Sequence, residues 1–202
     1  MSTNRTPGRP AQFDRQRALD DLLVLFWRKG YAAATQEEML SATGLSSSTL
    51  YRTFGTKSQI LKAVLDRYGA TADVMFAPLS DGTRGLADVE DFLDRVRQFL
   101  TGPMGASGCL VVGTMQDPIN TDPRISAITE AYIHRMRDGL RASLLRAVNG
   151  GELPTSTPVS ALADALRAGV LGALARARTG DILEATTMVT ALSVLLTRLK
   201  SA

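Results

Sequence analysis

Residues 35 to 57 read TQEEMLSATGLSSSTLYRTFGTK, and no other stretch restricts the fold as tightly. Two short helical patterns are joined by a glycine-containing turn and followed by a hydroxyl-rich segment. Thr35 stands three residues before Glu38, so hydroxyl and carboxylate can cap the first helix reciprocally. Met39, Leu40 and Ala42 supply its buried side. Gly44 falls where the chain must leave the helix, a place that favours a residue without a Cβ. Leu45 plugs the gap between the helices and Ser46 caps the second. Leu50 and Phe54, four apart, face inward, which leaves Ser47, Ser48, Thr49, Tyr51, Arg52 and Thr53 to face out. Thr56 to Gln59 forms a second capping box that opens a further helix. Lys57 in its first turn opposes the helix dipole, an arrangement that makes sense if a phosphate sits there. Together these features describe a helix-turn-helix whose second helix can enter a DNA major groove.

Composition agrees with an all-α chain. Of 202 residues, 45% are hydrophobic and 5% aromatic, and the Ala and Leu content favours helices over strands. Periodicity predicts helices over 15–29, 36–43, 47–54, 56–76, 86–100, 122–148, 157–178 and 181–199, with a short apolar piece at 109–116, about nine in all. Pro78 to Gly85 reads as a loop. The division expected is a DNA-binding unit over 1–68 and an effector-binding and dimerisation unit over 69–202. Ten of the 23 basic residues but only six of the 20 acidic ones fall within 1–68, so positive charge gathers where the motif lies. No secretory leader is read at Met1 to Gln12, and no run approaches the ~20 apolar residues that cross a bilayer. A single cysteine fits a reducing, cytoplasmic setting.

The stretch from Gly8 to Tyr68 resembles the DNA-binding domain of the tetracycline-repressor (TetR) family of bacterial regulators. The resemblance is carried by Arg9-Pro10, the Phe26-Trp27-Arg28-Lys29-Gly30-Tyr31 helix end, Thr35, Thr43-Gly44-Leu45-Ser46, Leu50 to Phe54, and Thr56-Lys57. It implies an all-helical homodimer that binds a double-stranded, palindromic operator and releases it when a small effector binds. By resemblance, Thr35, Tyr51, Thr53 and Lys57 contact phosphate. Ser46, Ser47, Ser48, Thr49 and Arg52 approach base edges or nearby phosphate. Many relatives have lysine and glycine where this chain has Ser47 and Ser48, so Arg52 is the main candidate for direct guanine readout. Arg5 and Arg9 belong to a lead-in over 1–12, expected either to act as a flexible arm in a minor groove or only to add charge.

Gly108-Cys109-Leu110 is similar to a segment that a subgroup of TetR-family regulators carries at the start of the sixth helix, with Gly113 where an Asn often stands. Cys109 has two readings: a thiolate sensor at a helix start, or a small packed hydrophobe. Phe92, Val96, Phe99, Met104, Cys109, Met115, Tyr132 and Met136 are expected to line an effector cavity, their character favouring an apolar or aromatic ligand. Trp27 reads as core packing and His134 as a surface residue. Ala168, Gly169, Gly172, Ala173 and Ala175, with the apolar face of the last helix, read as a dimer interface; a monomeric core is the alternative. No orienting group serves a Cys–His pair, no metal-ligand spacing occurs, and no glycine-rich phosphate loop follows a strand. Neither a catalytic role nor a cofactor is therefore expected.

Overall fold

The computed structural model describes residues 14–200. Among these residues there are nine α-helices and no strand. They are α1 Arg15–Lys29, α2 Gln36–Thr43, α3 Ser47–Phe54, α4 Lys57–Asp81, α5 Leu86–Thr101, α6 Leu110–Met115, α7 Pro123–Asn149, α8 Val159–Arg178 and α9 Ile182–Lys200. Helix α1 packs on α2 and α4, α4 on α5 and α7, and α8 bridges α7 and α9. The long α4 thus belongs to both halves: Ile60, Leu61 and Val64 are buried near its start, Phe76 and Leu79 near its end. The boundary expected between residues 68 and 69 falls inside it.

Helix α4 also passes through Pro78, where the sequence suggested a stop. Proline removes the N–H that would bond the Val74 carbonyl four residues back, the usual reason a helix ends there. The Arg95 guanidinium, from α5, donates to that carbonyl instead. The loop is thereby reduced to residues 82–85.

Where α4 hands over to α5, Asp88 is buried although charged. Its carboxylate accepts from the Arg84 amide at 2.7 Å, Arg84 Nε at 3.2 Å and Arg146 Nη2 at 3.4 Å. Three donors from two elements compensate its desolvation and pin the connection to α7.

On the last two helices, Gly169 faces Leu192 so closely that a Cβ would stand 2.8 Å from its Cδ2. The small residues of α8 therefore admit α9 of the same chain, in the first instance. Helix α9 leaves Leu183, Val194, Leu195 and Leu199 exposed. By length and composition it is apolar enough to cross a membrane, with a mean hydropathy of 1.4, contrary to the sequence expectation. The hydroxyls of Thr186, Thr187 and Thr190 donate to carbonyls one turn back, so polar-looking positions present mostly methyl groups.

Replacing Asp88 with Ala is expected to cost about 3 kcal/mol of stability, the low end for opening a buried ion pair because Arg84 stays accessible to water. A urea titration checks this: the midpoint should fall while the slope stays unchanged.

Candidate functional site

The helix-turn-helix is built by its caps. The Thr35 hydroxyl accepts from the Glu38 amide at 3.2 Å, and the Glu38 carboxylate accepts from the Thr35 amide at 3.1 Å. Lys29 pairs with the same carboxylate and, as the largest influence, holds Glu38 below the usual carboxylate range. Gly44 sits at φ 66°, ψ 14°, the left-handed conformation that ends α2; its N–H reaches the Leu40 carbonyl at 2.9 Å. Ser46 caps α3 at the Thr49 amide (3.3 Å), and Leu50 and Phe54 are buried beneath it. Ala42, expected on the buried side, is exposed, because so short a helix buries only Met39 fully.

The outer face of α3 divides into tied and untied side chains. Tyr51 donates its hydroxyl proton to Gln36 Oε1 at 3.0 Å, and Gln36 Nε2 donates to Ser47 Oγ at 3.3 Å. This bridge fixes α3 against α2, and Gln36 went unnoticed in the sequence because its role is only spatial. Lys57 Nζ lies 4.5 Å from the centre of the Tyr31 ring, a cation–π contact that holds the lysine at the α4 start. Thr35, Ser46 and Ser48 are exposed; Ser47, Thr49, Tyr51, Thr53 and Lys57 are half-buried. Arg52 is exposed and makes no hydrogen bond or ion pair among the described residues. By contrast, Arg67, Arg84, Arg124, Arg137 and Arg176 are all paired with carboxylates. Arg5 and Arg9 lie outside the described residues.

A second feature lies between the middle helices: a partly open cavity of about 60 Å³. Helix α4 contributes Tyr68, Thr71, Ala72, Met75 and Phe76; α5 contributes Phe92, Val96 and Phe99. Cys109, Tyr132 and Met136, with Val170 and Leu174 of α8, complete it, and Trp27 reaches in from α1. Six of the eight residues expected at a cavity therefore meet here. Met104 lines instead an open groove outside, which shares Trp27, Thr71, Met75 and Phe99 with the cavity. Met115 lines neither and is 40% exposed, because α6 is a short helix that turns its end to solvent. His134 is exposed. Trp27 packs in the core, as read, and is also a cavity wall.

The wall is a chain of rings. Trp27 meets Tyr68 edge-on at 4.9 Å and stacks on Phe99 at 6.0 Å. Tyr132 touches Tyr68 at 6.2 Å and Phe76 at 5.0 Å. The Tyr68 hydroxyl donates to Cys109 Sγ at 3.3 Å, and that thiol donates to the Tyr132 hydroxyl at 3.7 Å. Burial, then the neighbouring Cys109, pushes both phenols well above their ordinary pKa. Cys109 is itself buried.

Four hydrogen bonds fasten this wall, three of them to α1 and the turn after it. The Trp27 indole N–H donates to the Gly108 carbonyl at 2.6 Å. Arg178, at the end of α8, donates from Nη1 to the Ser107 carbonyl at 2.7 Å and to the Trp27 carbonyl at 3.3 Å. The Ala32 amide donates to Asp117 Oδ2 at 3.0 Å. The segment carrying Cys109 and α6 is thus gripped at both ends by α1 and the turn after it. Gly108 adopts φ 57°, ψ −155°, a conformation nearly confined to glycine. A Cβ there would stand 2.4 Å from the Leu174 carbonyl oxygen, and one on Gly113 would stand 2.6 Å from the Arg178 guanidinium carbon.

Caps, turn and recognition-helix face define a helix-turn-helix DNA-binding protein with a second, helical unit around a cavity. Residues 18–64 match the model described as bacterial regulatory proteins, tetR family, and residues 85–192 match the tetracyclin repressor-like C-terminal domain. The chain is 30% identical to the HTH-type transcriptional repressor ComR of Escherichia coli over 168 residues, covering 80% of this chain and 78% of that protein. A TetR transcriptional regulator of Chloroflexus aurantiacus superposes with a TM-score of 0.75 at 26% identity, over 93% of this chain and 92% of that one. A cysteine mutant of the regulator CifR, solved with a 26-bp operator duplex, shares the fold (TM-score 0.74, 23% identity, 96% of this chain and 99% of that one). The chain belongs to the TetR family of transcriptional regulators.

Gly108→Ala is expected to cost about 2 kcal/mol or more from backbone strain alone. At fixed protein concentration, that lowers the thermal midpoint by roughly 4–8 °C in a chain of this size.

Proposed function

We propose that the chain is a repressor that binds a palindromic operator as a homodimer and releases it when a small apolar or aromatic molecule occupies the cavity. The observation that carries this reading is that Trp27, a residue of the helix-turn-helix unit, forms part of the cavity wall. A ligand that moves Trp27 strains its bond to Gly108 and shifts α1 directly, while Tyr68 to Phe76 move α4. Such linkage requires tighter ligand binding to the arrangement that does not fit DNA; couplings of ~1–3 kcal/mol change operator affinity about 5–150-fold.

The dimer face assigned is α8 with α9, supported by the exposed Leu183, Val194, Leu195 and Leu199. Pairing them across a two-fold axis would bury them and set two α3 helices about one DNA turn apart, ~34–36 Å. On each α3, Arg52 reads a base edge, supported by its exposed and unpaired guanidinium. Thr35, Thr53 and Lys57 set the register on phosphate, and Tyr51 does so once it exchanges Gln36 for a phosphate oxygen. The hydroxyls of Ser46, Ser47, Ser48 and Thr49 complete the face, and Arg5 and Arg9 extend it along the groove.

A second reading concerns Cys109, which lines the cavity. Its sulfur would add to the β-carbon of an α,β-unsaturated carbonyl that enters there, the C=C π pair moving to the α-carbon, which takes up the thiol's proton, and the adduct would push on Tyr68 and Tyr132. Gly108-Cys109-Leu110 supports placing the chain with the subgroup that carries this segment; Gly113, where that subgroup often has Asn, leaves room for Arg178.

Gel shifts with duplexes from the chain's own promoter region test the main reading. Binding at low salt with a two-fold footprint is expected; failure to bind any such duplex would overturn it. Arg52→Ala should relax sequence preference, whereas uniformly weaker binding with unchanged preference would make Arg52 a phosphate contact. Release by electrophiles that is lost in Cys109→Ser would establish the thiol reading, and identical release in both proteins would reject it.

A further inference from the structure

The polar groups of the cavity are few and oddly matched. No Asp, Glu, Lys, Arg or His lines it, so a charged ligand would lose its hydration with no counter-charge in contact. Tyr132 is more than nine-tenths buried. Its hydroxyl meets only the Cys109 thiol, at 3.7 Å, and the neighbouring Tyr68 phenol. Tyr68 spends its proton on sulfur, a weak acceptor. Raised pKa values keep both phenols protonated, hence donors. A buried hydroxyl whose partners are a thiol and another phenol gains by donating to a stronger acceptor. The walls around the hydroxyl are aromatic: Phe76 at 5.0 Å and Tyr68 at 6.2 Å from the Tyr132 ring. At about 60 Å³ the cavity is smaller than the ~150 Å³ that admits benzene in an engineered core, so even a single ring with a short substituent enters only as Met75 or Phe99 swings toward the outer groove.

We propose that the cavity takes an uncharged, single-ring aromatic compound bearing one hydrogen-bond acceptor, such as a carbonyl oxygen, which receives the Tyr132 hydroxyl proton. This rests on the cavity being the effector site and adds the chemical class. The ring fills the space among Phe76, Phe92 and Phe99; the acceptor fixes its orientation toward Cys109 and Trp27. Anionic aromatics are excluded by desolvation, and pure hydrocarbons gain nothing from Tyr132.

Isothermal titration calorimetry on the full protein, without DNA, uses three probes of one shape: acetophenone, ethylbenzene and benzoate. Acetophenone and ethylbenzene should bind and benzoate should not. Tyr132→Phe should weaken acetophenone about five-fold or more, the equivalent of ~1 kcal/mol for the lost bond, and leave ethylbenzene unchanged, which also certifies that the variant is folded. If that variant does not fold, the carbonyl carbon resonance of ¹³C-labelled acetophenone on the wild-type protein decides: a downfield shift relative to hydrocarbon solvent marks a donated hydrogen bond. Equal loss of both neutral probes in Tyr132→Phe, an unshifted carbonyl, or preferred binding of benzoate would overturn the acceptor assignment and leave the effector cavity standing. Binding of none of the three would remove both.

Discussion

The hydrogen bond from the Trp27 indole to the Gly108 carbonyl, 2.6 Å long and buried, is the joint between the helix-turn-helix and the cavity wall. Its donor belongs to α1, which packs on α2 and α4 and so sets where the helix-turn-helix stands. Its acceptor precedes Cys109, on the cavity wall. Two unusual features of the chain follow from that contact. Gly108 must hold a conformation that side chains avoid in order to aim its carbonyl, and Gly113 must stay small so that Arg178 can reach the Trp27 and Ser107 carbonyls beside it.

This joint gives the two proposed binding events a short path. Rings run in contact from Trp27 through Tyr68 to Tyr132 and Phe76, so displacement at one end of the cavity bears on α1 without passing along the whole of α4. Helix α4 offers a second route, since it lines the cavity near its middle and starts beside α3. Close-packed interiors respond to an inserted group by switching between arrangements rather than deforming smoothly. In the proposed mechanism, that property converts a small ligand into a change of spacing between two reading heads.

The helix-turn-helix was legible in the sequence because every determinant is local: two capping boxes, Gly44 in a left-handed turn, and Leu50 with Phe54 four apart. The cavity was only partly legible, since its lining comes from α1, α4, α5, α7, α8 and the segment before α6. Periodicity marks a residue as inward-facing but not what it faces, so Trp27 read as core alone and Met115 as lining. The extension of α4 through Pro78 depended on Arg95, seventeen residues on and in another helix. The apolar character of α9 was hidden by threonines whose hydroxyls fold back onto the helix. The unpaired state of Arg52 among the described residues and the weak partners of Tyr132 are visible only once every neighbour is in place.

Trp27 is the only tryptophan in the 202-residue chain, so emission excited at the red edge of the absorption band, where tyrosine does not absorb, reports on the joint alone. The most direct measurement is Trp27 fluorescence during titration with an operator duplex identified by gel shift. If the joint couples DNA to the cavity, operator binding selects one of its arrangements, and the emission should change with the same midpoint as the gel shift. Emission that stays constant while the operator becomes fully bound would contradict that coupling.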